Sequence, residues 1–264
     1  PGDPLDGGYM SVPVLLDRIT STRETQFVYF DEVLGHPRWS GRKILDFGGN
    51  FGIFLRRARG VEHSDYWCLD VNKPMLERGR QEFPRAHFVH YNRYSPEYNP
   101  GGVRRLPVPD VGVAFDFILA FSVFTHVHRL ELVELVAALR GMLAPGGALA
   151  FTFSDARYDR SLSDPELPAG SDVRKNLERE AKHTPHEIDV LVERAQRASW
   201  CVALDGELYV EPGPELASQS RLGTPWESYC SYFTAETMRF LVPDATIHEP
   251  VKPEWQHCCV VRNR

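Results

Sequence analysis

The sequence predicts an α/β protein with a doubly wound, mainly parallel sheet, and three stretches carry this prediction. Residues 43–55, KILDFGGNFGIFL, combine a short apolar strand, a glycine-rich turn and the apolar start of a helix. Residues 66–70, YWCLD, are typical of a second buried strand, which ends in Asp70. Residues 116–122 and 148–153 are further apolar runs of strand length, separated by a helical pattern. Strands that alternate with helices favour a parallel sheet.

Composition narrows the function classes. The 264 residues are enough for one elaborated domain, or for a domain with a cap. A net charge of −6 and an isoelectric point near 5.9 argue against nucleic acid as the main partner. No apolar stretch is long enough for a membrane span, and the first residues lack the pattern of a signal peptide. The five cysteines lack metal-ligand spacing, so we expect reduced thiols, no metal site and a cytoplasmic protein.

The turn after the first strand predicts close approach of a ligand to the backbone. Gly48, Gly49 and Gly52 permit dihedral angles that other residues avoid, and they leave room beside the main chain. Asp70 follows Gly48 by 22 positions. This is close to the spacing of about 20 residues at which a carboxylate reaches ribose hydroxyls in doubly wound folds.

The segment 46–52, DFGGNFG, resembles the first motif of class I S-adenosylmethionine-dependent methyltransferases, Asp/Glu-x-Gly-x-Gly-x-Gly. Dinucleotide dehydrogenases place a glycine two positions before the equivalent of Gly48, so Asp46 favours the methyltransferase family. Asn50 stands where the middle glycine is expected, and asparagine tolerates left-handed dihedral angles better than most residues. The run 139–153, LRGMLAPGGALAFTF, is similar to the family's region before and within the fifth strand.

The resemblance implies a seven-stranded doubly wound sheet that is parallel except for one antiparallel C-terminal strand. Residues 245–248 and 258–261 would supply the sixth and seventh strands. The expected domains are a Rossmann-like core at 41–154 and 233–264, an N-terminal helical segment over the active site at 1–40, and an α+β cap at 155–232. In the cap, Pro185 is expected to divide a charged helical region, and Asp205-Gly206 predicts a hairpin.

The resemblance also implies S-adenosyl-L-methionine as cofactor, with S-adenosyl-L-homocysteine as its product. In this family the fourth strand ends near the methionine part of the cofactor. Met75 is expected near the adenine, although core packing explains it equally well, and Asn92 takes the place of an acid that binds the adenine amine. The predicted cofactor residues are Asp46, Gly48, Gly49, Asn50, Gly52, Asp70, Val71, Met75, Asn92, Phe121 and Ser122. Residues 93–112 suggest a loop without a clear role.

Methyl transfer needs positioned reactants and, for a hydroxyl or amine acceptor, a route for the proton. His126, just after the fourth strand, is the first candidate base, followed by His128 and by Asp155 after the fifth strand. A capping or packing role, or catalysis without a base, is the alternative for each. The predicted substrate residues are aromatic: Tyr9, Tyr29, Trp200, Trp226 and Tyr229.

The function indicated is methyl transfer to an oxygen or nitrogen of a small organic molecule, such as an intermediate of natural product biosynthesis. The alternatives are methylation of a protein or RNA, and a regulatory protein that binds the cofactor without catalysis. The acidic charge and the lack of a basic groove count against RNA. The sequence leaves a homodimer open, because the cap is also compatible with a dimerisation element.

Overall fold

The computed structural model describes residues 26–95, 97–158, 171–212, 229–250 and 256–263. Tyr9 and Trp226 lie outside these residues, as does most of the N-terminal helical segment. No helix in the described ranges is long and apolar enough to cross a membrane.

The main sheet has seven strands in the order β3-β2-β1-β4-β5-β10-β9. Strand β10 runs antiparallel to both of its neighbours, and the other pairs are parallel. The predicted doubly wound sheet with one antiparallel C-terminal strand is therefore confirmed. The strands are β1 (Ile44–Phe47), β2 (Tyr66–Asp70), β3 (His87–His90), β4 (Phe115–Ala120), β5 (Leu143–Phe153), β9 (Thr246–His248) and β10 (His257–Arg262).

Helices pack on the faces of this sheet through apolar side chains. The helix before β1 is α1 (Gln26–Val33). Asn72 caps the helix after β2 by accepting a hydrogen bond from the Met75 N–H. The remaining helices of the core are α2 (Ile53–Arg57), α3 (Lys73–Glu82), α4 (Arg129–Arg140) and α7 (Ala235–Leu241), with 3₁₀ turns at His63–Asp65 and Phe124–His126.

One boundary differs from the prediction. The sequence places the end of α4 at residue 143 and the start of the fifth strand at 148, because Pro145-Gly146-Gly147 is a turn signature. In the structure α4 ends at Arg140 and β5 already begins at Leu143. Asn263 is the reason: its backbone pairs with Gly146 and Gly147, and its side-chain amide donates to two carbonyls of the same segment. Partners from the distant C-terminus thus extend the strand into the turn.

The segment after β5 forms a second, smaller unit. Its sheet has the order β7-β6-β8, with β6 (Trp200–Leu204), β7 (Glu207–Val210) and β8 (Tyr229–Phe233) all antiparallel. Two helices, α5 (Ser171–Glu178) and α6 (Pro185–Arg197), pack on it and share a separate apolar cluster. The predicted hairpin at Asp205-Gly206 and the helix break at Pro185 are confirmed, and Thr184 closes a capping box at the start of α6.

Candidate active site

A cavity opens at the carboxyl ends of β1, β2 and β4, where doubly wound sheets bind their ligands. Its volume is about 1180 Å³, a figure that includes open space at the mouth. The cavity is lined by the β1 turn, by the ends of β2 and β4, and by the start of α4. Five residues at and after the end of β3 and two residues of the small sheet complete the lining.

The turn after β1 is shaped by left-handed backbone. Gly48 has φ of 75° and Asn50 has φ of 58°, so asparagine does hold the left-handed conformation at the place of the missing glycine. The Asn50 N–H donates to one oxygen of Asp70 at 2.7 Å, and the Asn72 N–H donates to the other at 2.7 Å. Asp70 is thereby fixed at the cavity wall.

Asp46 lies beneath the same turn. Its carboxylate is buried and accepts a hydrogen bond of 2.5 Å from the hydroxyl of Tyr66. A Cβ on Gly49 would lie 2.4 Å from this carboxylate, so only glycine fits above it. Burial raises the pKa of Asp46 to about 7, and the nearby charge of Asp70 acts in the same direction. Asp46 therefore supports the turn from below and does not line the cavity.

Ser122 follows β4 with φ of 58°, an uncommon conformation for a residue other than glycine. Its N–H donates to Thr152 Oγ1 at 2.7 Å, and its hydroxyl accepts from Gln256 Nε2 at 3.1 Å. Thr152 in turn donates to Gln256 Oε1 at 2.5 Å. This buried network holds the strained end of β4 against the cavity, where strain is typical of a ligand site.

His126 lies in the 3₁₀ turn after β4 and lines the cavity beside Tyr98, with the two ring centroids 5.5 Å apart. Its Nδ1 is 2.9 Å from the backbone carbonyl of Tyr229. Because a carbonyl only accepts, Nδ1 must carry the proton, and Nε2 of the neutral ring keeps its lone pair. Glu97 Oε2 lies 3.6 Å from the same Nδ1 and favours the ring when it becomes positively charged. This arrangement can accept a proton at Nε2.

Arg93 also lines the cavity and is almost fully buried. Its guanidinium binds Glu131 at 2.7 Å and Glu134 at 2.9 Å, and it also donates to the hydroxyl of Tyr91. Burial raises the pKa of Glu131, and Arg93 opposes that effect. His128 caps α4 by accepting the N–H of Leu130 on Nδ1. Its ring lines the cavity and packs edge-on against Trp200.

The cavity has the features that an S-adenosyl nucleoside requires. The glycine turn leaves its backbone open to the cavity, and a carboxylate at the end of the second strand is oriented by two backbone N–H groups. Apolar residues flank that carboxylate, including Leu69 and Val71. Ribose hydroxyls are donors that suit a carboxylate in this position. No cluster of metal-binding side chains occurs among the residues described.

Residues 45–149 match the family model described as methyltransferase domain. The chain contains a class I methyltransferase domain, and S-adenosylmethionine is its cofactor. This segment holds the glycine turn, Asp70, Ser122 and His126. No curated protein matches the sequence closely enough to count as a relative.

Solved structures share the fold of this methyltransferase. A methyltransferase from Clostridium acetobutylicum matches with a TM-score of 0.52 and 10% identity, over 95% of this chain and 98% of that one. CalS10, an amino pentose methyltransferase from Micromonospora echinaspora, matches with 0.50 and 16%, over 97% and 98%. The pyocyanin biosynthetic protein PhzM matches with 0.50 and 13%, over 96% of this chain, which spans only 60% of PhzM.

The structure brings about half of the predicted site residues together in the cavity of the methyltransferase. Gly49 and Gly52 belong to the turn without lining the cavity, and a Cβ on Gly52 would contact the rings of Phe83 and Phe88. The predicted residues that line it are Gly48, Asn50, Asp70, Val71, Phe121, Ser122, His126, His128 and Tyr229.

Two predicted adenine contacts lie elsewhere. The side chain of Met75 is buried against Phe51 and Ile53 behind the glycine turn, which is the packing alternative. Asn92 Oδ1 accepts a hydrogen bond of 3.1 Å from Asn99 Nδ2 in the loop after β3. Neither side chain lines the cavity in this structure, because local partners within the core and the loop hold each of them.

Three further predicted residues also lie outside the cavity. Tyr29 is buried and donates to the backbone carbonyl of Gln256 at 2.9 Å. Trp200 is 1% exposed and stacks on Phe233, so it belongs to the core between the two sheets. Asp155 is buried and binds Arg157 at 2.7 Å. We therefore do not propose Asp155 as a base, nor Tyr29 or Trp200 as substrate contacts.

The sequence analysis missed the contribution of the loop after β3. It assigned no role to residues 93–112, yet Arg93, Tyr94, Ser95 and Tyr98 line the cavity. The signal was present: Tyr91, Tyr94 and Tyr98 recur in a short polar stretch next to a strand end that faces the site. The described residues between β3 and β4 form no helix, and several of their side chains reach the cavity.

Proposed function

We propose that this methyltransferase acts on an oxygen or nitrogen of a small organic molecule, of the kind found in natural product biosynthesis. The observation that carries the proposal is His126 at the cavity wall, with its tautomer fixed by the carbonyl of Tyr229. Such a group serves an acceptor that must lose a proton. The site is a concave pocket with several apolar and aromatic side chains in its lining, which favours a small acceptor over a protein or RNA.

When bound, S-adenosylmethionine supplies an electrophilic methyl group whose bond to sulfur breaks, leaving the electron pair on the sulfur. Asp70 binds the ribose hydroxyls, since its two oxygens are held toward the cavity by backbone N–H groups. Ser122 and the glycine turn fix the neighbouring wall. His126 takes the acceptor's proton on Nε2, and Glu97 stabilises the charge that the ring then carries. The protein thus orients the reactants and removes the proton.

The fold accommodates such acceptors, since CalS10 is by its description an amino pentose methyltransferase and PhzM a pyocyanin biosynthetic protein. The five cysteines are free thiols, which supports the prediction of a cytoplasmic protein. A homodimer remains a prediction.

Replacing His126 tests the proposed base. His126→Ala should lower turnover by about 10²–10⁴-fold, because general-base catalysis contributes roughly that factor. Affinity for S-adenosylhomocysteine by calorimetry should stay nearly unchanged. His186→Ala is the matched control, because His186 is exposed on α6 and far from the cavity lining.

Turnover near that of the wild type in His126→Ala would contradict the role of His126 as base. Loss of folding or of cofactor affinity would instead assign it to packing. If the wild type binds the cofactor but methylates no small acceptor in a broad metabolite panel, the proposed function itself fails, and a regulatory binding protein becomes the better account.

A further inference from the structure

The acceptor side of the cavity holds few charges, and each of them already has a partner. Among the described residues that line the cavity, the charged side chains are Asp70, Arg93 and Glu131. Asp70 accepts two backbone N–H groups and, on the proposed function, the ribose hydroxyls. The acceptor side is therefore left with the pair of Arg93 and Glu131, and with Glu97, which lies behind the ring of His126 at 3.6 Å from Nδ1.

Two carboxylates compensate the positive charge of Arg93. Its Nε binds Glu131 at 2.7 Å, and its two terminal nitrogens bind Glu134 at 2.9 and 3.3 Å. The hydroxyl of Tyr91 and the carbonyl of Leu106 accept further hydrogen bonds from Nη1, at 3.1 and 2.8 Å. The side chain is 6% exposed. An anionic acceptor would find no unpaired cation here, and it would lose its hydration without compensation.

Glu131 is equally engaged. One oxygen binds Arg93, and the carboxylate also accepts the backbone N–H of His128 at the start of α4. A cationic acceptor would have to compete with a guanidinium that is also held by Glu134, the hydroxyl of Tyr91 and the carbonyl of Leu106. Breaking a buried ion pair by removing one partner is costly, so the site is unfavourable for either sign of charge.

The rest of this wall is aromatic. Tyr91, Tyr94, Tyr98 and Tyr229 line the cavity, and Tyr98 is 39% exposed beside the ring of His126. The ring of Tyr91 contacts Phe47, with centroids 6.0 Å apart. Flat rings at the mouth and along the wall favour a planar aromatic ligand through edge and offset contacts.

We propose that the acceptor is an uncharged aromatic compound that carries a hydroxyl group, of the phenol class, and this inference rests on the proposed function. A phenol needs a base, because its pKa near 10 keeps it protonated at neutral pH. In the step, the phenol oxygen forms its bond to the methyl carbon, and the O–H proton moves to His126 Nε2. The positive charge leaves the sulfur and appears on the imidazolium beside Glu97.

Three ligands of similar shape and different charge test the inference. We would titrate 2-naphthol, 2-naphthoate and 2-naphthylmethylamine into the protein saturated with S-adenosylhomocysteine, at neutral pH, by calorimetry. The neutral naphthol should bind at least about tenfold more tightly than either ion, a difference that corresponds to about 1.4 kcal/mol. Equal or tighter binding of an ion, or binding of none of the three, would overturn the inference.

A variant that removes the carboxylate partners of Arg93 gives a second test. Glu131→Gln combined with Glu134→Gln leaves Arg93 without its carboxylates, so affinity for 2-naphthoate should rise about tenfold or more while affinity for 2-naphthol changes little. Glu193→Gln, which removes the partner of Arg197 on the exposed face of α6, is the control. If the double variant does not fold, Glu134→Gln alone serves, since Glu134 is half-exposed and does not line the cavity. Unchanged preference for naphthol over naphthoate would overturn the inference.

The outcomes separate this inference from the proposed function. Methylation of naphthoate or of the amine in preference to naphthol would leave small-molecule methyl transfer intact and overturn the phenol class. Failure to bind S-adenosylhomocysteine would overturn both.

Discussion

The contribution of Asp46 to the stability of the folded protein depends on pH. Its pKa is raised from the ordinary value near 4 to about 7, chiefly because the carboxyl is buried. The folded protein therefore keeps a proton on Asp46 that the unfolded chain releases. This contribution to stability is fully present below about pH 4 and is lost as the pH rises toward 7.

The Asp46→Asn variant should remove that dependence. Between pH 5 and pH 8 the wild type should lose about 2–3 kcal/mol of unfolding free energy that the variant does not lose, because each unit of pKa shift corresponds to about 1.4 kcal/mol. Urea unfolding at the two pH values measures the difference. Identical pH dependence of the two proteins would show that Asp46 is ionised in the folded state.

Gly48 is required by its neighbour as well as by its backbone. A Cβ at this position would lie 2.3 Å from Cγ2 of Val123, and φ is 75°. Steric exclusion at Gly48 therefore acts first on Val123 and only then on the cofactor.

A double-mutant cycle separates the two effects. Gly48→Ala should cost about 2–4 kcal/mol of stability, the sum of left-handed strain and the clash. Adding Val123→Ala should recover the clash but leave about 1–2 kcal/mol of strain. Urea unfolding of the four proteins measures the coupling energy. Simple additivity of the two substitutions would contradict the proposed contact.

At the scale of elements, β8 links the small sheet to the side of the cavity that holds His126. The carbonyl of Tyr229 accepts from His126, and Ser231 Oγ donates to the carbonyl of Val127 at 2.6 Å. The N–H of Phe233 donates to the carbonyl of Ser154 at 2.8 Å. By contrast, α5 and α6 pack mainly on their own sheet through a separate cluster. Residues 155–232 as a substrate cap remain a proposal, and β8 would be its fixed edge.

Hydrogen exchange tests that proposal. S-adenosylhomocysteine and an acceptor together should slow amide exchange in residues 172–210, whereas β8 should be protected with or without ligands. Mass spectrometry of peptides from both regions gives the comparison within one experiment. Equal exchange of 172–210 in the two states would support a static insertion.

The elements also show what the sequence could predict. Local patterns located the strands of the core, the helix break at Pro185 and the hairpin at Asp205-Gly206, because short-range chemistry determines each of them. The start of β5 was wrong, because distant Asn263 determines it. The sequence could not predict that Trp200 is buried in the core, because a buried and a ligand-binding indole have the same local sequence. Tyr98 reaches the cavity through a loop whose path no periodic pattern reveals.

At the scale of the whole molecule, two units meet around one cavity. The seven-stranded sheet contributes the glycine turn, Asp70, Ser122 and His126, and the small sheet contributes Leu204 and Tyr229. The charges of this cavity are compensated locally, although the chain as a whole carries −6. The proposed reaction therefore requires a cofactor bound at one wall and a small neutral acceptor at the other.

The affinity of the Asp70→Asn variant for S-adenosylhomocysteine tests the central claim most directly. The substitution is isosteric and leaves an acceptor for the turn, but it removes the charge from the hydrogen bonds to the ribose, which are worth about 1.5–3 kcal/mol each. Calorimetry should show binding weakened about tenfold or more relative to the wild type. Asp116→Asn, which alters a carboxylate bound to Arg42 outside the cavity, should bind normally. Unchanged affinity in Asp70→Asn would contradict the assignment of this cavity as the cofactor site.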